Sequence, residues 1–332
     1  MKILIDNHHG ALLKSFHYLF NIRFNADVYI PYGFEWLDVD KLYSNYPQRD
    51  TAGQMLVSWA NDIENSKQFY KLTLDEFIDA DIDVIVCSLL ENYNIFKQII
   101  SHYNKRCKLV LHIGNNISPQ IIEQLGVENL LSSSWPSYLY SNVKNKVFCR
   151  QEFSLEKFIP KPDCNIKSVA NYKHILNDIE LSYFSKLELE MKSWNFKCYG
   201  AGNRDGIIDQ HESVMSESLR NFGFIYHYKR IDEGFGHVIH NAFACGKPVI
   251  TSHKHMCVNI DGKYIGNTAT LLFEPDVTIL DISIDDISTI KYKLEKMSVE
   301  YPEVSRKVYD KFRDVVNFDT EFLHVKSFFE RI

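Results

Sequence analysis

Short continuous runs of Val, Ile and Leu alternate along the chain with longer stretches whose apolar residues recur every three to four positions. In the first half, "KILI", "DVYIPYG", "DIDVIVCSLL" and "CKLVLHIG" read as strands, with "ALLKSFHYLFNIRF" and "YNIFKQIISHY" as amphipathic helices. A strand apolar at every residue is buried on both faces, which implies a parallel sheet with helices packed on either side. Pro160 and Pro162 break the segment "KVFCRQEFSLEKFIPKPDCN", and the alternation then begins again. The second series runs "IKSVAN", a helix around "ILNDIELSYFSKLELEM", "FKCYG", a short helix "ESVMSESLRNF", "FIYHY", a helix after Gly236, then the apolar runs "PVITS" and "ATLLF".

The pattern predicts two α/β units, residues 1–155 and 165–310, joined by a linker at 156–164. Two amphipathic helices close the chain with a break near Phe318, and the apolar face of the C-terminal helix within 311–332 could dock onto either unit, a crossing back to the first being one of the two possibilities. The polar stretch "YPQRDTAGQMLVSWANDIENS" reads as a long loop holding a short helix. At 332 residues the chain exceeds what one hydrophobic core ordinarily organises, which agrees with two units.

Composition narrows the class. Hydrophobic residues make up 45% and charged residues 24%, which excludes a disordered or fibrous chain. No apolar run reaches signal-peptide or membrane-spanning length, so a cytoplasmic protein is expected. The seven cysteines are odd in number, scattered and mostly inside apolar runs, a pattern of buried free thiols rather than a disulfide framework. A net charge of −6 argues against a surface built throughout to hold polyanions. Locally the balance reverses: Lys144, Lys146, Arg150, Lys157, Lys161, Lys167 and Lys173 face only Glu152, Glu156 and Asp163. That stretch is either a solvated linker or a track for a phosphate-rich acceptor.

The most informative stretch is residues 230–252, "RIDEGFGHVIHNAFACGKPVITS". A strand ends, a turn passes through Glu233, and a helix opens near Gly236 and stops at Gly246 before Pro248. A helix that opens at the end of a parallel strand offers backbone N–H groups and a partial positive charge to a phosphate. Gly234 and Gly236 let that backbone approach a ligand closely. The Glu233 carboxylate suits hydroxyl groups instead, so the turn fits a ligand carrying both phosphate and vicinal diols, as a nucleotide sugar does.

The run "EGFGHVIHNAFACGKPVI" resembles the donor-binding signature of retaining GT-B glycosyltransferases of the glycogen-synthase-like and sucrose-synthase-like superfamily. The resemblance implies the GT-B fold, two Rossmann-like α/β domains with parallel sheets facing across a cleft. It implies transfer of a sugar from a UDP-, GDP- or ADP-sugar to an acceptor hydroxyl with retention, with no cofactor and no metal. In that family the first Glu, here Glu233, contacts hydroxyls of the transferred sugar, and Gly234, Phe235 and Gly236, followed by His237, approach sugar and diphosphate. A second Glu grips the ribose diol, and this chain departs from the pattern by carrying Asn241 there. An amide oxygen still accepts a hydrogen bond, but without the strengthening that a charge gives.

The resemblance further implies a cleft role for His112, at the end of the strand "CKLVLHIG", as a catalytic candidate beside Glu233. In "DNHHG", Gly10 opens the first helix, and His8 and His9 stand beside it as candidates for acceptor or phosphate contact. A departing nucleoside diphosphate needs positive charge, for which Lys173, Arg204, Arg230 and Lys229 are the candidates. An inverting reaction would instead need a base, with Asp6, His8 and His9 the first places to look.

Other signals are weaker. The glycines of "GAGNRDG" miss the dinucleotide-binding spacing by one residue, and neither "HKHMC" nor the pair His237 and His240 completes a metal-ligand pattern. "SSSW" reads as a strand end or turn. The expected acceptor is a saccharide. The alternatives are a hydroxymethylated pyrimidine in DNA, as for phage enzymes that share the fold, a non-catalytic nucleotide-sugar-binding module, and an epimerase of the GT-B kind.

Overall fold

The computed structural model describes residues 1–6, 10–32, 36, 69–209, 211–230 and 233–332. His8, His9 and the polar stretch expected as a long loop lie outside the described residues. The chain forms two compact units, one of residues 1–153 with 318–332 and one of residues 154–317. Residues 156–164 lie within the second unit, and the chain returns to the first at Phe318. The reason is visible in the helices: Tyr301–Val315 is one continuous helix, and the next, Phe318–Arg331, starts afresh.

The first unit holds seven strands, β1 (Lys2–Ile5), β2 (Asp27–Pro31), β3 (Tyr70–Leu72), β4 (Val84–Cys87), β5 (Lys108–Ile113), β6 (Asn129–Ser132) and β7 (Asn145–Phe148). All pair in parallel, in the order β3-β2-β1-β4-β5-β6-β7. Alternate residues of each central strand go to opposite faces, and both faces are covered. Leu4, Ile85, Cys87 and Leu111 pack under the helix Leu90–His102, while Ile3, Ile5, Val84, Val86 and Val110 pack under Phe16 and Phe20. This is why the strands read as unbroken apolar runs.

The last helix closes that second face. Val325 and Phe328 are fully buried against it, and Phe322 and Phe329 meet Phe20 and Phe24 edge-on at 5.1–5.8 Å. Arg23 bridges Glu152 and Asp319, and Arg150 pairs with Glu321 in a largely buried ion pair. Burial pushes the Glu321 carboxyl above its usual range, against the pull of Arg150.

The second unit holds β8 (Asn165–Asn171), β9 (Asn195–Cys198), β10 (Phe222–Tyr226), β11 (Val249–Thr251) and β14 (Ile279–Asp281), all parallel, in the order β14-β11-β10-β8-β9. An antiparallel hairpin of β12 (Cys257–Ile260) and β13 (Lys263–Gly266) stands apart from this sheet. The run "ATLLF" is a 3₁₀ turn, Thr268–Leu272, and the edge strand comes later in "TILD". A sequence of that length and apolarity fits either form, and here the capping Asn267 side chain, accepting from Thr270 N, selects the turn.

In both sheets the strand order reverses once, between β1 and β4 and between β8 and β10. Ligands of open parallel sheets bind outside the carboxyl ends of the strands at that point of reversal. No helix among the described residues is long and apolar enough to cross a membrane.

Phe328→Ala is expected to cost about 3–5 kcal/mol, through the cavity it leaves. Denaturation followed separately for the two units checks this: the loss falls on the unit of residues 1–153, and the 154–317 unit keeps its midpoint.

Candidate functional site

In the second unit, the strand-order reversal brings together the residues after β8 (Tyr172–Asn177) and, after β10, residues 227–230 and 233–236. Glu233 is the charged centre of this region. Its side chain is 11% exposed, and Oε2 lies 3.0 Å from His227 Nε2 and 3.4 Å from Lys229 Nζ. Burial by itself pushes the carboxyl up, but the hydrogen bond from His227 and the nearby charge of Lys229 outweigh it and hold the group at about 2. Glu233 is therefore an anion at every working pH, an acceptor of hydrogen bonds and not a proton donor.

The turn around it is tightly fixed. Asn267, fully buried, donates from Nδ2 to the Glu233 carbonyl at 3.1 Å, and Thr268 N donates to the Gly234 carbonyl at 3.3 Å. Gly236 has φ 83°, and a Cβ there would come 2.8 Å from Ala269 Cβ, so the position needs glycine on both counts. Phe235 is buried and stacks on His240 at 4.1 Å, and His240 donates from Nδ1 to the Gly236 carbonyl at 3.0 Å. His237 meets the edge of Phe235 at 4.9 Å.

The helix His237–Ala244 follows with no side-chain cap from Gly236, and its first turn carries the positive end of the helix dipole. It ends where Gly246, at φ 65°, passes too close to Ser305 for any Cβ. One turn into this helix, Asn241 Oδ1 is buried and has no hydrogen-bond partner among the described residues. A buried acceptor left in that state marks a place where a donor group is missing.

The structure sorts the candidate cations. Lys173 is bound to Glu180, a residue 1% exposed, whose carboxylate also accepts from Asn177 N and, at 3.0 Å, from Arg230 N. Arg204 is not brought to the strand ends. It forms a bidentate pair with Glu188, near the end of the helix Asp178–Glu190, and bonds the carbonyl of Phe196 in β9. Lys229 belongs to Glu233. Arg230 is exposed, its backbone fastened by Glu180, and no carboxylate among the described residues pairs with its guanidinium. Of the four candidates its side chain alone has no carboxylate partner among the described residues.

In the first unit, Gly10 opens the helix Gly10–Phe16, which continues as a π-helix over His17–Arg23. Asp6 is fully buried, accepting from Ser88 N and Asn92 Nδ2 at 2.8 Å and from Leu89 N at 3.3 Å. It fastens β1 to the start of the helix Leu90–His102. His112 is 2% exposed, with Nε2 3.1 Å from Ser133 Oγ. Because Ser133 donates its own hydrogen to the Cys149 carbonyl at 2.7 Å, His112 Nε2 is the donor of that pair, committed inside the unit.

The sequence did not single out His227, Glu180 or Asn267. Only His227 leaves a trace in it, as a polar residue closing the run "FIYHY". All cysteines of the chain are free, and among the described residues no group of three His, Cys, Asp or Glu is arranged to hold a metal ion.

Two units of parallel sheet with helices on both faces, and a helix that returns to the first unit, make up the GT-B fold. Solved structures agree across the whole chain. Anabaena HepE in complex with UDP and glucose is similar with a TM-score of 0.65 at 12% identity, covering 100% of both chains. Sucrose-phosphate synthase from Thermosynechococcus elongatus is similar with a TM-score of 0.63 at 12% identity, covering 100% of this chain and 98% of that one. The lipopolysaccharide outer core galactosyltransferase WaaB, in its apo form, follows with a TM-score of 0.58 at 10% identity, covering 100% of both chains. No protein-family model matches the chain, and no curated protein matches it by sequence.

Because the Glu233 carboxyl is lowered to about 2 from 4.5, its ionisation favours the folded state above about pH 4.5, and that contribution is lost as pH falls toward 2. Wild type is expected to exceed Glu233→Gln in melting temperature near neutral pH, with the gap closing below about pH 4. A gap that stays constant from neutral to acid pH would contradict this reading of the pair.

Proposed function

We propose that the protein is a glycosyltransferase that moves a sugar from a nucleoside-diphosphate sugar to a saccharide hydroxyl with retention. The observation that carries this is the Glu233 turn: a carboxylate held in its ionised form beside the N-terminus of the helix His237–Ala244, at the strand-order reversal of the second unit. The carboxylate accepts from sugar hydroxyls, and the helix terminus takes the diphosphate. In the reaction the bond from the anomeric carbon to the diphosphate breaks and a bond to the acceptor oxygen forms on the same face. The acceptor proton passes to the leaving diphosphate, so no second carboxylate is required. Charge accumulating on that diphosphate meets the helix terminus and Arg230 in place of a metal ion.

Asn241 supplies a neutral acceptor to a ribose hydroxyl, which would satisfy its buried Oδ1. HepE, one of the similar structures, was solved with UDP and with UDP-glucose, which makes uridine nucleotides the first to try.

The saccharide reading is favoured over DNA by the fate of the basic stretch. Arg150, Lys157, Lys161, Lys167 and Lys173 pair with Glu321, Glu212, Glu217, Glu295 and Glu180. Lys146 bonds the carbonyls of Tyr138 and Ser141 at a helix end. Charges cancelled in this way give little counterion release on a polyanion.

A thermal-shift screen across UDP, GDP, ADP and their sugars is expected to give one nucleotide whose sugar form raises the melting temperature by several degrees. With that donor, Glu233→Ala should cut release of nucleoside diphosphate at least about a hundredfold while the fold persists. No shift with any nucleotide, or wild-type turnover in the Ala variant, would contradict the proposal. Binding without turnover for wild type would favour a non-catalytic module. Asn241→Glu is expected to tighten nucleoside-diphosphate binding by roughly tenfold, through a charge-assisted bond to ribose. Calorimetry checks it, and unchanged affinity places residue 241 away from the ribose.

A further inference from the structure

We infer that His227 is a positioning residue for sugar transfer, fixing the Glu233 carboxylate through a hydrogen bond from its Nε2. This role rests on the reading of Glu233 as the sugar contact, and it adds a residue that the donor signature does not contain.

Four observations carry it. First, His227 continues from β10 on rigid backbone: its N–H donates to the Ile250 carbonyl at 2.9 Å, and the strand before it is buried throughout. Second, the ring is 4% exposed, and its Nε2 lies 3.0 Å from Glu233 Oε2. A nitrogen facing a carboxylate carries the hydrogen, which fixes the direction of the bond. Third, His227 Nδ1 is buried with no partner among the described residues. A buried imidazole with one unsatisfied nitrogen is costly where Phe would fill the same space, so the bond to Glu233 is what the position retains. Fourth, Lys229 reaches the same oxygen from 3.4 Å, but its side chain is 30% exposed on a flexible stem, so it adds charge more than direction.

The consequence is geometric. Oε2 is held by the protein and the main-chain carbonyl of Glu233 is held by Asn267, so the residue is pinned at both ends. Oε1 lies on the Gly236 side, 3.8 Å from where a Cβ on Gly236 would stand. A sugar hydroxyl at the turn therefore meets a carboxylate group whose direction is set before the donor arrives. Such pre-set acceptors act on the transition state more than on binding of the nucleotide.

The test compares His227→Phe, which keeps the ring volume and removes the donor, with His227→Gln, whose amide N–H replaces it. UDP and UDP-glucose are the probes, with calorimetric affinities, UDP release and melting temperature measured for each variant. His227→Phe is expected to keep UDP affinity within about twofold and to lower turnover at least about tenfold, with His227→Gln recovering to within about threefold of wild type. The acid limb of the turnover profile should also move to higher pH in the Phe variant alone, because Glu233 keeps its burial and loses a partner. Wild-type turnover in the Phe variant, or a Gln variant as impaired as Phe while both remain folded, would overturn the role of His227. Should the wild type bind neither probe nor any other nucleotide sugar, the donor-site reading itself fails and this role falls with it.

Discussion

Much of the second unit's chemistry depends on one charge held where water is scarce. A carboxylate moved out of water strongly prefers to take up a proton, and at Glu233 an imidazole and an ammonium that share one of its oxygens oppose this. The partners come from the same short connection that follows β10, so the local sequence assembles anion, donor and counter-charge together. The turn Gly234–Gly236 and the 3₁₀ segment beneath it then hold the peptide groups around that anion. Remove the pairing, and burial would return the group toward its neutral form and a different hydrogen-bonding role.

Around this centre the cations fall into two kinds. Lys173, Arg204 and Lys229 are paired with carboxylates of the protein. Glu180 is the link between them and Arg230: it caps its own helix, takes the Lys173 ammonium and fastens the backbone of Arg230. Arg230 keeps its guanidinium in solvent as a result. The first unit uses its buried polar groups differently. Asp6 and His112 are spent on joining strands to neighbouring elements, which gives a stiff platform at the carboxyl ends of its sheet.

The fold was legible in the sequence because parallel strands buried on two faces leave unbroken apolar runs, and "KILI", "VIVC" and "KLVLHI" lie where such runs fall. The helix after Gly236 was legible because glycine and proline punctuate both of its ends. The 3₁₀ form of "ATLLF" was not, since its selection depends on one buried Asn in a loop. Within the site, the position of Glu233 was visible from its motif, but its partners were not. His227 sits six residues upstream in an apolar strand, and nothing in one-dimensional spacing says that a strand-end imidazole and a turn carboxylate meet. Arg204 shows the converse: a basic residue in a glycine-rich loop looks available until its carboxylate, sixteen positions earlier, is seen to lie beside it.

The most direct measurement is a crystal structure of the protein with an intact nucleotide sugar. The account predicts sugar hydroxyls within hydrogen-bond distance of the Glu233 carboxylate, diphosphate oxygens at the first turn of the helix His237–Ala244, and His227 still bonded to Oε2. A nucleotide sugar seated elsewhere, or one that leaves Glu233 without a ligand contact, would contradict it.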